Sequence, residues 1–289
     1  MQEFKVNASN VGQRVDVYVA ARYPSFTRSS LRELFRQKLV SLNGTLTKPA
    51  EKIKAGDQIV VDEQLLKLEP TKIKLPIIYE NGEVVVINKP PGILTHSKGA
   101  LNLEDTVASF IKSKITDPKL TGNRAGIVHR LDRGTSGIMI AAKNSEALNK
   151  LQKQFSQRKT KKTYLALVAG IPIPDAAIID IPIERNPKKP QIFQTGPGGK
   201  SAQTYYKVLK SFTKAGQPVS LVELRPTTGR THQLRVHMAA VGHPFVGDEL
   251  YGSMPSSRLW LHAQDLELTL PSGERRKFRA KLPEGFKNA

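Results

Sequence analysis

The sequence predicts an α+β protein built in two parts. Short apolar or alternating runs bounded by glycine and proline recur along most of the 289 residues, which is how strands and their turns read. Only a few stretches space their apolar residues as helices do. One charged stretch with a proline and no clear period, Glu63 to Lys74, separates a helix-led start from a strand-rich remainder. The division is therefore a small α/β part over 1–62, a joining arm over 63–74 that lets the two domains move, and a large part over 75–289.

In the first part, Val15, Tyr18, Val19 and Arg22 fall at helical spacing between Val11 and Tyr23, and Pro24 closes the segment. A second helix starts at Arg28 with Thr27 as its cap. Leu31, Leu34, Phe35 and Leu39 form its apolar stripe, and Arg28, Arg32 and Arg36 project along another face. Asn43-Gly44 between alternating runs predicts a hairpin, and Ala55-Gly56-Asp57 turns into a strand over Gln58 to Val61. The arginine row alone is equally a solvated helix face, because residues 1–62 carry a net charge of only +4.

In the large part, Val84 to Ile87 reads as a buried strand that Pro90-Pro91-Gly92 stops, with Lys89 and His96 nearby. Gly126 to Gly137, GIVHRLDRGTSG, reads as strand, loop, strand: Ile127-Val128 enters a polar loop and Ile138 to Ala142 leaves it. The loop holds one carboxylate, Asp132, between Arg130 and Arg133. Such a group is either a salt-bridged structural loop or a reactive acid in a cleft. Asn144 to Arg158 is an amphipathic helix with Leu148, Leu151 and Phe155 inward, followed by a strand from Tyr164. Lys143 to Lys162 carry a local excess of +6, a solvated face or a phosphate-attracting patch.

Glu184 to Lys200, rich in Pro, Gly and Lys, reads as a projecting loop or loose hairpin that can set Lys188 and Lys189 on phosphates. The strand Leu221 to Leu224 ends at Pro226, and a helix over Thr231 to Val241 follows, with Gly242 as its cap. On it Leu234, Met238 and Val241 pack, while His232 and Arg235 share another face. Leu259 to Leu270 reads as closing strands.

Composition narrows the chemistry. The balance of 45 Lys+Arg against 25 Asp+Glu, +20 overall, points to a polyanionic partner. No apolar stretch approaches the ~18–20 residues that cross a bilayer, and the N-terminus lacks the pattern of a secretory signal, so a soluble cytoplasmic protein without a membrane partner is expected. With no cysteine, disulfides, a thiol nucleophile and Cys-ligated zinc are excluded. The six histidines show no metal-ligand spacing, and neither a phosphate-binding GxxxxGK[ST] loop nor a dinucleotide fingerprint is present. No metal and no cofactor are expected.

The loop at Asp132 resembles the HRLDxxTSG signature of the RluA family of pseudouridine synthases. In order along the chain, NKPPG, KKTYLALV, the GKxAxTxY-like run from Gly199, RPTTGRTHQLRVHMAAVGHPFVGDELYG and the LHA segment at Leu261 are similar to further motifs of that family. Gly12 to Asp62 resembles the alpha-L RNA-binding domain of the S-four type, through Arg14, Asp16 and Val19, the TRSSLRELFRQKLVSLNG run and KAGDQIVV.

The resemblance implies a mixed, mainly antiparallel central sheet with flanking helices, and isomerisation of uridine to pseudouridine in RNA without a cofactor. It implies Asp132 as the catalytic group, attacking C1′ or taking the C2′ proton, Arg235 as its ion-pair partner, and Tyr164 stacked on the base. Arg130 matches the position that enters the RNA, and Arg28, Arg32 and Arg36 fall on the basic helix of the small domain. Large-subunit ribosomal RNA is the expected substrate, ahead of transfer RNA, for an enzyme acting as a monomer. Two other readings compete: a non-catalytic RNA-binding protein of ribosome assembly, and an acid-dependent hydrolase, for which the usual second carboxylate is not apparent near Asp132.

Overall fold

The computed structural model describes residues 1–67, 73–97, 104–122, 124–252 and 254–286. The chain divides into two compact units, Met1–Ile73 with His96–Ser109, and Lys74–Thr95 with Phe110–Ala289.

The first unit sets two helices on a four-stranded antiparallel sheet. In chain order it comprises β1 (Gln2–Lys5), α1 (Val15–Arg22), α2 (Arg28–Arg36), β2 (Val40–Leu42), β3 (Thr45–Leu46), β4 (Gln58–Val61) and the single turn α3 (Gln64–Lys67), with sheet order β1-β4-β2-β3. Thr27 caps α2, its Oγ1 accepting the Ser30 N–H at 3.2 Å. Val15, Tyr18 and Val19 of α1 pack with Leu31, Leu34 and Phe35 of α2 over Val40, Ile59 and Val61. Full burial of each such side chain contributes roughly 1.5–3 kcal/mol. Asn43 and Gly44 take φ of 50° and 78°, so the predicted hairpin turn forms with both central residues left-handed.

Two features of this unit differ from the sequence reading. The edge strand β1 is not foreseen, because QEFK is a short run with charges among its four residues. Gln64–Lys67 is helical, with Leu65 buried in the core, so the stretch assigned to a joining arm begins inside the packed unit. Its residues 68–72 lie outside the described residues. Of the predicted basic row, Arg28, Arg32 and Arg36 are all exposed, yet two are engaged. Arg28 Nε donates to the buried Asp16 carboxylate at 3.2 Å, and Arg36 pairs with Glu33 at 2.6 Å.

The second unit is formed around a nine-stranded sheet. Its elements begin with β5 (Ile77–Glu80) and β6 (Val84–Lys89), followed by α4 (Val107–Lys112), whose first residues cluster with the first unit, and then β7 (Ser136–Ala142), α5 (Ser145–Ser156), β8 (Lys161–Ala169) and β9 (Ala176–Asp180). The hairpin β10 (Ile183–Arg185) and β11 (Phe193–Thr195) precedes β12 (Gln203–Lys214), β13 (Gln217–Pro226), α6 (Gln233–Ala240), β14 (Leu261–Thr269) and β15 (Arg275–Arg279). The order is β5-β6-β7-β14-β8-β13-β12-β9, with β15 also on β14. Every neighbouring pair is antiparallel except β7 with β14. This is the mixed, mainly antiparallel sheet expected.

Two local readings are corrected. Ile127-Val128 is not a strand: a single bridge, Ile127 to Ala141, ties it to β7. The run read as closing strands contains β14, which pairs through its backbone with β7 on one edge and β8 on the other. Val241, expected to pack, is 37% exposed just past the end of α6. By contrast, Glu184 to Lys200 contains the hairpin β10–β11.

Gly137 is where the parallel pair closes. It lies opposite Ala263 at φ 117°, and a Cβ there would run into the Ala263 backbone. Gly137→Ala is therefore expected to cost at least about 3 kcal/mol through strain and steric overlap. That corresponds to a fall of roughly 6–12 °C in the Tm followed by circular dichroism; a change under about 2 °C contradicts this close approach.

Candidate active site

The loop between Val128 and Ser136 is held from below by two buried polar side chains of the strand β6 region. The Lys89 ammonium, fully buried, donates to the carbonyls of Pro90 at 3.0 Å, Ile93 at 2.7 Å and Arg133 at 3.1 Å. Burial pushes this amine down to about 7 while Asp132 pulls it up. Only the ammonium has three protons for three acceptors, so the carbonyls favour the charged form. Thr95 Oγ1 donates to Leu131 O at 2.8 Å and accepts the Leu131 N–H at 3.2 Å. Lys89 thus supports the loop and does not face a substrate, and His96 clusters with the first unit.

At the far end of the loop, Ser136 fixes its exit. Arg258 donates to Ser136 Oγ at 2.6 Å, which leaves the hydroxyl proton for His262 Nδ1 at 2.8 Å. Burial, and then the Arg258 charge, push the His262 imidazole down to about 4, so it stays neutral and accepts. At the entry, His129 Nε2 accepts the Ile140 N–H at 3.1 Å and its ring stacks on Phe155 with centroids 4.6 Å apart.

The loop so held places Asp132 in a cleft of about 410 Å³. Its walls are the loop itself, the end of α5, one face of β8, and the turn from Pro226 into α6. Asp132 Oδ2 lies 3.8 Å from Arg235 Nη1, and Asp132 Oδ1 lies 4.0 Å from His232 Nε2. Its side chain keeps 18% exposure, against 9% for Arg235. Tyr164 faces the same cleft, and burial, reinforced by the Asp132 charge, raises its phenol above the ordinary value of 10.0. It is a neutral hydroxyl and an apolar ring.

The three residues assigned to chemistry, Asp132, Tyr164 and Arg235, are thus brought together, with one correction to their pairing. The principal partner of Arg235 is Asp248, not Asp132: Arg235 Nε and Nη2 donate to the two Asp248 oxygens at 2.8 and 2.7 Å. Burial opposes the Arg235 charge, but Asp248 and then Asp132 raise its pKa above the ordinary guanidinium value. The fork is spent on Asp248, and the remaining Nη1 is presented to Asp132. Asp248 in turn accepts the backbone N–H groups of Leu250 and Tyr251.

His232 does not share a helix face with Arg235. It precedes α6 in a left-handed conformation at φ 57°, which turns its ring toward Asp132. Tyr251 fixes that ring: its oxygen accepts the Phe193 N–H at 3.0 Å and lies 2.8 Å from His232 Nδ1. Burial lowers the His232 pKa from 6.5, although Asp132 raises it. With Tyr251 donating to Nδ1, the neutral imidazole carries its proton on Nε2, toward the carboxylate. Sequence reasoning misses Asp248, His232 and Tyr251 because partners across loops leave no period. The signal for Asp248 is an acid lying just after the apolar run Pro244-Phe245-Val246, inside a motif already matched.

Of the residues assigned to RNA, only Arg130 lies at this cleft. Arg130 is exposed on the loop and lines the cleft mouth. Lys188 and Lys189 are exposed at the β10–β11 connection, their backbone N–H groups donating to Asn186 Oδ1. Arg28, Arg32 and Arg36 belong to the first unit. Among the described residues no group of three His, Asp or Glu is placed to hold a metal ion, and no helix is long and apolar enough to cross a membrane.

One carboxylate thus stands beside a guanidinium, a neutral imidazole and a tyrosine in a cleft whose lining also carries Arg130, Arg158, Lys162 and Arg230, a positively charged setting that suits an anionic ligand. Residues 83–240 match the RNA pseudouridylate synthase family, and residues 13–59 match the S4 domain. An uncharacterized RNA pseudouridine synthase of Aquifex aeolicus is 38% identical over 261 residues, 88% of this chain and 81% of that protein. Ribosomal large subunit pseudouridine synthase D of Pasteurella multocida is 35% identical over 98% of this chain and 91% of its own. The structure of human RNA pseudouridylate synthase domain containing 1 is similar with a TM-score of 0.61 at 32% identity, covering 75% of this chain and 87% of that one. The chain belongs to the RNA pseudouridylate synthase family. It is an enzyme that converts uridine in RNA to pseudouridine, with an RNA-binding S4 domain at its N-terminus.

Proposed function

We propose that the chain modifies uridines of large-subunit ribosomal RNA, as a cytoplasmic monomer, with Asp132 as its catalytic group. The observation that carries the site is the convergence of Asp132 with Arg235 Nη1 and His232 Nε2 in the cleft that Tyr164 also lines. Similarity over nearly the whole chain to proteins named for the large ribosomal subunit supports the substrate.

The reaction breaks N1–C1′, turns the uracil, and joins C5 to C1′; the C5 hydrogen leaves as a proton to solvent while N1 takes one up, so the product is an isomer of the substrate. Asp132 acts at the sugar, as nucleophile on C1′ or base on C2′. Arg235 Nη1 holds it oriented and its charge compensated while Asp248 keeps the guanidinium from collapsing onto it. Tyr164 supplies a flat face for the base. The uridine leaves its stack at a cost of a few kcal/mol, and Arg130 at the cleft mouth occupies the space it vacates. Arg28, Arg32 and Arg36 in the first unit, and Lys188 and Lys189 on the hairpin, meet phosphates.

Transcripts of large-subunit ribosomal RNA and of transfer RNA carrying 5-tritiated uridine test the target. Purified protein is expected to release tritium from the ribosomal transcript and not from transfer RNA. Release from transfer RNA alone overturns the substrate assignment, and RNA binding without release from either favours an assembly role.

A further inference from the structure

Two lysines of the second unit are buried enough for desolvation to bring their amines near neutrality, and they differ in what satisfies them. Lys89, at about 7, has three carbonyl acceptors for three protons. Lys162, at about 8 with burial as the cause, donates to Thr228 O at 3.3 Å, and no carboxylate pairs with it among the described residues. An ammonium carries three donors, so Lys162 has two to spare. Lys162 is half-buried and lines the cleft, so the donors that Thr228 leaves over are available to an anion bound there.

Its direction is set by the strand. Thr160, Lys162 and Tyr164 alternate along β8 and the residue before it, and all three line the cleft. At about 3.3 Å of rise per residue, the Lys162 and Tyr164 backbones are roughly 7 Å apart. That spacing suits a base at one position and the phosphate of the same nucleotide, or of the next, at the other. Arg158 and Arg230 also line the cleft, but Arg230 Nε is already committed to Ser201 O at 3.0 Å.

We propose that Lys162 forms the floor of an anion subsite that takes the phosphodiester adjoining the target uridine while the uracil lies against Tyr164. This rests on the assignment of Tyr164 to the base. The phosphate supplies acceptors for the two spare protons and a counter-charge for the ammonium, and these bonds form only when the nucleotide is drawn into the cleft. Lys162 is then a binding residue that selects an extruded nucleotide with its backbone over a free nucleoside.

The test uses uridine, uridine 3′-monophosphate and uridine 5′-monophosphate as probes, titrated calorimetrically into wild type, Lys162→Met, Lys162→Arg and Lys153→Met at low salt. One monophosphate is expected to bind wild type about tenfold more tightly than uridine does. That advantage is expected to fall within twofold in Lys162→Met and to survive in Lys162→Arg and in Lys153→Met, which removes an equal charge from the exposed side of α5. In Lys162→Met the salt dependence of single-stranded RNA binding is expected to flatten by about 0.7 in slope, because one phosphate fewer is neutralised. No phosphate advantage in wild type, an advantage kept by Lys162→Met, or equal weakening of uridine itself overturns the subsite. Asp132→Asn separates the two levels: it is expected to keep the phosphate advantage while losing tritium release.

Discussion

Asp132→Asn is expected to abolish tritium release from 5-tritiated uridine while leaving the protein folded. Asparagine keeps the shape and one acceptor oxygen, but it is neither a base nor a nucleophile at neutral pH. Removing a positioned base costs on the order of 10²–10⁴ in rate, and removing a nucleophile removes its route altogether. The fold is expected to tolerate the change because Arg235 does not depend on Asp132: its two short bonds go to Asp248, and Asp132 lies 3.8 Å away. A single-turnover assay beside a melting curve checks both halves. Release at the wild-type rate would end the assignment of Asp132, and a large fall in Tm would mean that its role is to hold the loop together.

Asp248→Asn is expected to have the opposite profile, a large loss of stability with activity falling as a consequence. The pair is buried, with side-chain exposures of 9% for Arg235 and 0% for Asp248. An amide cannot accept both guanidinium donors, and its NH₂ would face one of them. Breaking a buried pair from one side costs about 3–5 kcal/mol, which for a chain of this size is roughly 6–20 °C in Tm. The freed guanidinium has one carboxylate left to turn to, Asp132, and a closed pair there withholds the acid from the sugar. The fall is expected in kcat rather than in KM for RNA, measured at a temperature where the variant remains folded. A Tm within about 2 °C of wild type would refute the anchoring role.

The contrast between these two acids shows what sequence can and cannot reveal. The α2 stripe, its Thr27 cap and the Asn43-Gly44 hairpin are local, so spacing and turn chemistry are enough to place them. The approach of Arg235 to Asp132 is legible only through family resemblance, since about a hundred residues separate them. The bidentate partner of Arg235 lies in a loop, where neither helical nor strand periodicity marks an inward-facing acid. The left-handed backbone at His232 is unreadable for another reason: a histidine rarely adopts it, and Tyr251 and the packing around it impose it. β14 is recognised as a strand from its alternation, which does not indicate its neighbours in the sheet.

That central place of β14 sets the order in which the enzyme can be completed. β5, β6 and β7 emerge from the ribosome early and β8 soon after, yet among the described residues it is β14, residues 261–269, that joins the two groups of strands. Until these arrive, β7 and β8 each present an open edge, of the kind that pairs with other chains and aggregates. The loop bearing Asp132 also lacks its far support, because Arg258, just before β14, and His262, within it, hold Ser136. Synthesis must pass nine-tenths of the chain before the loop bearing Asp132 can set, so a nascent or C-terminally clipped chain has the motif without its settled loop.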